Sequence, residues 1–166
     1  MNGTSTGSRT TLSTQQARTK TQEAEAPNTM LELSSEIVGV FKEQFGRGPT
    51  RARAHWAGPD TLVVILEDTL TPAERNLVRM GEHQRLRDLR MFFQYAAVEA
   101  LCGPVERITG RKVRAFFSGI DTLADGMALE TFVLHPPGYD GPSRIDQGHA
   151  ADRQNGDEGG QPRRSA

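Results

Sequence analysis

One stretch limits the possible folds more than any other. Thr61-Leu-Val-Val-Ile-Leu-Glu67 is apolar on both of its alternating faces, with Leu62, Val64 and Leu66 on one and Val63 and Ile65 on the other. A strand of this kind needs cover on both sides. Gly58-Pro59-Asp60 turns into it from the segment about Thr50 to Trp56, which sets Arg51, Arg53 and His55 against Ala52, Ala54 and Trp56. So short a connection makes the pair an antiparallel hairpin. The segments about Lys112 to Ser118 and Met127 to Leu134 form a second hairpin, again with large apolar residues in both phases.

Helices separate the hairpins. Thr29 and Glu32 have capping-box spacing, and Leu33, Ile37, Val40, Phe41 and Phe45 recur at helical intervals after them. Gly46 suits a left-handed C-cap, and Gly48-Pro49 stops the helix. Thr71-Pro72-Ala73-Glu74 is a strong helix start, with Thr71 as cap, Pro72 in the first turn and Glu74 completing the box. A short helix runs from there to about Met80. After Gly81 a long helix follows, with Leu86, Leu89, Phe93, Ala97, Leu101, Val105 and Ile108 on its expected core face. Gly103-Pro104 is expected to kink it and Gly110 to cap it. The predicted class is α+β: helix, hairpin, short helix plus long helix, hairpin, with a four-stranded antiparallel sheet and the helices packed on one face. Both halves have a helix ending in Gly-Arg before a basic strand, a match that allows a duplication.

The chain has 166 residues, of which 36% are hydrophobic, with 17 Gly and 9 Pro. Residues 1–28 and 136–166 carry most of the polar and Gly/Pro excess and are expected to be disordered tails around a domain at 29–135. The net charge is −1, without the basic excess usual in nucleic-acid binders, so nucleic acid is not an expected partner. A lone cysteine, Cys102, excludes an intramolecular disulfide and fits a buried thiol in a reducing cytoplasm. No apolar run approaches the ~20 residues of a membrane span, and the first residues lack a secretory core.

The pattern holds no catalytic set, no metal ligands and no cofactor motif, and the chain is expected not to be an enzyme. Ser118 lacks a nucleophile-elbow context, and Glu67, Asp68 and Glu74 read as turn and cap residues. Arg47, Arg51, Arg53, His55 and Arg111 lie near the starts of the two basic strands. If the hairpins sit side by side, these residues form a candidate site for a small anion such as phosphate or bicarbonate. The bland alternative is ordinary solvated charge balanced by Glu and Asp; Arg85, Arg87 and Arg90 lie on the long helix.

Four segments are familiar as a set: Phe45-Gly-Arg-Gly-Pro-Thr-Arg-Ala-Arg-Ala54, Leu66-Glu-Asp-Thr-Leu-Thr-Pro-Ala-Glu74, Arg85-Leu-Arg-Asp-Leu-Arg90 and Val105-Glu-Arg-Ile-Thr-Gly-Arg-Lys-Val113. Together they resemble the MpsC-type family, a component of a sodium-translocating, membrane-potential-generating system. The resemblance covers about Leu33 to Leu134. It implies a small cytoplasmic, non-enzymatic accessory or regulatory protein working beside membrane transport subunits. It supplies no catalytic residues. An anion-binding sensor and a nucleic-acid-binding regulator are the alternatives. The doubly apolar strands add one further expectation. Two main helices cover one side of a four-stranded sheet, so the other side is expected to pair with a second copy in a homodimer.

Overall fold

The computed structural model describes residues 28–147; the segments 1–27 and 148–166, which include most of both expected tails, lie outside the described residues. The class is α+β, as the sequence predicts. Helix α1 spans 28–45. It is followed by β1 (Arg51–Trp56) and β2 (Thr61–Glu67), then α2 (Pro72–Arg79), α3 (His83–Ala96) and α4 (Val98–Thr109), then β3 (Val113–Asp121) and β4 (Met127–Leu134). A short turn of helix at 144–147 closes the described chain.

Local chemistry sets these limits. Gly46 and Gly110 end α1 and α4 in the left-handed region, at φ 72° and 65°. At the start of α2 the Thr71 hydroxyl accepts from the Glu74 amide at 3.3 Å, and the Glu74 carboxylate accepts from the Thr71 amide at 2.7 Å. Together these bonds form the reciprocal cap the motif predicts.

The sheet has four strands in the order β1-β2-β4-β3, every neighbour antiparallel. The two hairpins therefore join through their second strands, and β1 and β3 are the edges. Leu33, Ile37 and Phe41 of α1 and Val98, Leu101, Cys102 and Val105 of α4 pack on one face of the sheet, against Leu62, Val64, Leu66, Phe116, Phe132 and Leu134. The expected boundary at 135 falls short of the packed chain, since Ser143 is buried and Ile145 packs against this core.

The long helix departs from expectation twice. It is broken into two helices at Ala97 (φ −100°, ψ 21°), and Pro104 lies inside α4, which continues past it to Thr109. The bonds Ala97 N–Phe93 O (3.0 Å) and Leu101 N–Ala97 O (3.1 Å) carry the ladder through the bend. The carbonyl that Pro104 cannot serve belongs to Ala100, an exposed residue that water can reach. The buried face of α3 is also not the expected one. It consists of Leu86, Arg90 and Gln94, and Leu89 and Phe93 point outward. Arg90 and Gln94 take the inner row because each meets polar partners there, as described below.

The loop before β4 leans on the β2–α2 connection. The buried Thr69 hydroxyl donates to the Gly126 carbonyl at 2.6 Å, and a Cβ on Gly126 (φ 76°) would fall within the Leu70 side chain. Gly126→Ala is therefore expected to cost about 3 kcal/mol in urea unfolding, combining overpacking with a left-handed backbone. In a double-mutant cycle with Leu70→Ala, which carries its own cavity cost, only the steric part should appear as coupling between the two sites. A loss under ~1 kcal/mol in the single variant would mean that this contact is loose.

Candidate functional site

The helix α3 has an interior that is polar and an exterior that is aromatic. Inside, Arg90 is 0% exposed. Its Nε and Nη2 donate to the two carboxylate oxygens of Glu74 at 2.5 and 2.7 Å, and Nη2 also donates to the Thr69 carbonyl at 2.8 Å. The guanidinium carbon sits 3.9 Å from the centroid of the Phe45 ring. A fork of two parallel bonds with an aromatic face beneath it is an arginine geometry that lysine does not reproduce. Burial pushes the Glu74 carboxyl up, but the Arg90 bonds and the Thr71 amide outweigh it and leave its pKa below the ordinary value of 4.5.

One turn further along α3, Gln94 Nε2 donates to Glu130 Oε1 at 2.7 Å. The Ser118 hydroxyl lies between Glu130 Oε1, at 3.1 Å, and Gln94 Oε1. With one proton, it serves one of them at a time. Glu130 comes from β4 and Ser118 from β3, directly opposite each other in the ladder. Burial pushes the Glu130 carboxyl up to about 8, against the pull of Ser118 and the Arg90 charge. At neutral pH this group is mostly the uncharged acid. Arg90 Nη1, Glu130 Oε2 and Gln44 Oε1 are buried with no hydrogen-bond partner. Nearby, burial raises the Cys102 thiol to about 12, assisted by Glu106, so it is neutral and unreactive.

Outside, the same helix presents Leu89 (42% exposed), Phe92 (70%) and Phe93 (40%). Spacings of three and four place them on one helical face. Aromatic contacts link this face to the interior: Phe41 to Phe45 at 5.5 Å between centroids, Phe45 to Phe93 at 6.1 Å and Phe93 to Phe92 at 5.8 Å. Gln44 Nε2 donates to the Phe93 carbonyl at 2.6 Å, tying α1 to the same point. The N-terminal turn of α3 is anchored to the loop after β3, where His83 Nδ1 and Arg87 Nη1 lie 3.0 and 3.2 Å from the Thr122 hydroxyl.

The five basic residues singled out in the sequence do not converge. Arg47 bonds Asp68 at 3.0 Å and the Leu70 carbonyl at 2.5 Å. Arg53 bonds Glu67 at 2.5 Å, and Arg51 lies 3.7 Å from the same carboxylate. Arg75 and then Arg47 hold the Asp68 carboxyl below its ordinary range. Arg111 instead donates to the His135 and Pro59 carbonyls and faces Trp56, at the far end of β1. His55 is exposed on the outer face of β1, opposite Val63. The reason is topological. Three antiparallel steps separate β1 from β3, so the two strands start at opposite ends of the sheet.

Among the described residues no helix is long and apolar enough to cross a membrane, and no group of three or more His, Cys, Asp or Glu could hold a metal ion. No curated protein and no solved structure matches the chain. One family does match, over residues 28–136, which takes in every helix and strand from α1 to β4. On that match the chain belongs to the MpsC family, described as a Na+-translocating membrane potential-generating system.

Proposed function

We propose that this chain is a non-enzymatic accessory subunit that works as a homodimer on the cytoplasmic side of a Na+-translocating system, docking on a membrane-embedded protein subunit through the outer face of α3. The family description supplies the system. The observation that carries the docking role is the inverted polarity of α3, with Arg90 and Gln94 inside and Leu89, Phe92 and Phe93 outside. Keeping three large apolar side chains in water costs free energy that a partner's apolar groove would recover. The buried Arg90–Glu74 pair ties α3 to α2 from behind, so the two helices carry this face as one unit. Aromatic side chains with neighbouring arginines, here Arg85, are typical of protein–protein contact surfaces.

The test is saturable binding of the purified chain to membranes from its own cells. Phe92→Ser with Phe93→Ser is expected to weaken binding at least tenfold while leaving the circular dichroism unchanged. Protease-stripped membranes should lose the site, and protein-free vesicles of the same lipids should not bind. Equal binding by the variant, or by the protein-free vesicles, would overturn the reading.

A further inference from the structure

The face of the sheet opposite the helices is built as a ladder of rungs. Arg53, Ile65, Leu129 and Gly119 lie side by side across the four strands, followed by His55, Val63, Thr131 and Phe117. The rung beyond holds Thr61, Val133 and Ala115, and at the other end Arg51 stands opposite Glu67 and Asp121 opposite Met127. Phe117 is 56% exposed and Leu129 45%. The face is thus apolar along its middle strands except at Glu67, which pairs with Arg51 and Arg53, basic along the β1 edge by one charge, and free of cations on its β3 rungs from Ala115 to Asp121, with the exposed Arg114 just beyond them.

This gradient selects an orientation. Only a twofold axis lying in the plane between two sheets brings this face onto itself. An axis across the strands sets β1 on the partner's β1, stacking Arg51 and Arg53 on their own copies with only the shared Glu67 to offset them, so the net positive edge meets its like. An axis along the strands sets β1 on the partner's β3 and β2 on the partner's β4. Arg51 then faces the partner's Asp121, and Arg53 crosses above the partner's Gly119, where no side chain competes for space. His55 meets the partner's Phe117 and Ile65 the partner's Leu129. The Asp121 carboxylate is held at that edge by the Leu123 and Ala124 amides, at 2.8 and 3.2 Å.

We infer that the outer sheet face is covered by the same face of a second copy, with the twofold axis along the strands, so that each β1 lies over the partner's β3. This deepens the homodimer reading above and rests on it. Strands ~4.8 Å apart and ~3.4 Å per residue give a flat footprint of roughly 450 Å², and side-chain relief brings the area buried by both copies to about 1,000 Å². That is the lower bound for a specific pair. The expected dimer is accordingly a micromolar one, with its two sheets aligned to within about 30°.

Sedimentation velocity on the full chain across the micromolar range tests the reading, and crosslinking tests the orientation. A monomer–dimer equilibrium is expected, with Phe117→Asp and Leu129→Glu each raising the dissociation constant at least tenfold. Both side chains are half in water, so the melting curve of the monomer should hardly move. Arg53→Cys chains mixed with Gly119→Cys chains should link through a short bismaleimide, and neither should link to itself. The site at Gly119 is open, with no atom within 4 Å of an added Cβ, and the buried Cys102 stays silent. A monomer throughout, a higher oligomer, or a dimer indifferent to both charge insertions overturns the reading and the inference together. A dimer in which Arg53→Cys links to itself overturns the orientation alone.

Discussion

Truncating Arg90 to alanine is expected to cost about 3–5 kcal/mol, the range for removing one partner of a buried ion pair. The loss has three parts. Glu74 keeps only the Thr71 amide for a carboxylate drawn into the protein, the Thr69 carbonyl loses its donor, and the Phe45 ring loses the cation above it. Against a typical domain stability of roughly 5–15 kcal/mol, such a variant is near the edge of folding. Arg90→Lys should fall between, because a point charge satisfies one oxygen of Glu74 and not the fork. A double change, Arg90→Met with Glu74→Leu, should recover most of the loss, since an apolar pair of similar volume removes the stranded charge. The difference between wild type and Arg90→Ala also depends on acid. Glu74 has a lowered pKa, so its contribution is complete above the ordinary value of 4.5 and disappears as pH falls through the folded value. Urea unfolding at several pH values reads all of this. A cost under ~1 kcal/mol at neutral pH would show that the buried fork does not hold α2 and α3 together.

The second large effect is at Glu130 and has the opposite sign. Its folded pKa of about 8 lies above the ordinary value of 4.5. The group therefore contributes its full stability below 4.5, and that contribution drains away as pH rises to about 8. Within this window each pH unit costs on the order of 1.4 kcal/mol. The groups facing it are Gln94 from α3, Ser118 from β3 and the Arg90 cation, with Cys102 of α4 neutral throughout. Among these only Glu130 itself titrates there. Glu130→Gln keeps the acceptor for Gln94 and Ser118 and has no charge to bury, so its unfolding midpoint should stay flat where the wild type's falls. Parallel profiles for the two proteins would place the alkaline loss elsewhere. With Glu74 weakening the fold in acid and Glu130 weakening it in base, stability should peak in mildly acidic solution.

Much of this was legible in the chain. The doubly apolar Thr61–Glu67 strand, the capped start at Thr71 and the left-handed glycines at 46 and 110 each depend on neighbours a few residues away, and spacing reports such neighbours faithfully. The α3 interior was not read correctly, because two helical rows compete there. Leu86, Leu89 and Phe93 form the more apolar row, and Leu86, Arg90 and Gln94 the one that is buried. Choosing the second requires knowing that Glu74, 16 residues earlier, and Glu130, 36 residues later, arrive at the same place. One part of the signal was present. Glu130 falls in phase with Ala128, Phe132 and Leu134, all core residues, and a carboxylate in that phase must be buried or must break the strand. The arginine cluster failed as a site for a different reason. Equivalent positions after equivalent helices suggested a shared location, and strand order placed them at opposite ends of the sheet.

The bend at Ala97 has a consequence for how the domain comes apart. On its C-terminal side, α4 buries Val98, Leu101, Cys102 and Val105, and stripping it from the sheet would hydrate a wholly apolar surface. On its N-terminal side, α3 buries an arginine, a glutamine and one leucine. Water can take over the hydrogen bonds of those polar groups, so lifting α2 and α3 away exposes far less oil per residue than lifting α4. A continuous straight helix would couple the two segments and force them to open together. A bent one weakens that coupling, so the α2–α3 pair is expected to open ahead of α4, once the Gln44–Phe93 and Gln94–Glu130 bonds that tie it to α1 and the sheet are exchanged for water. The segment that carries the exposed phenylalanines is therefore also the one the domain can release at least cost.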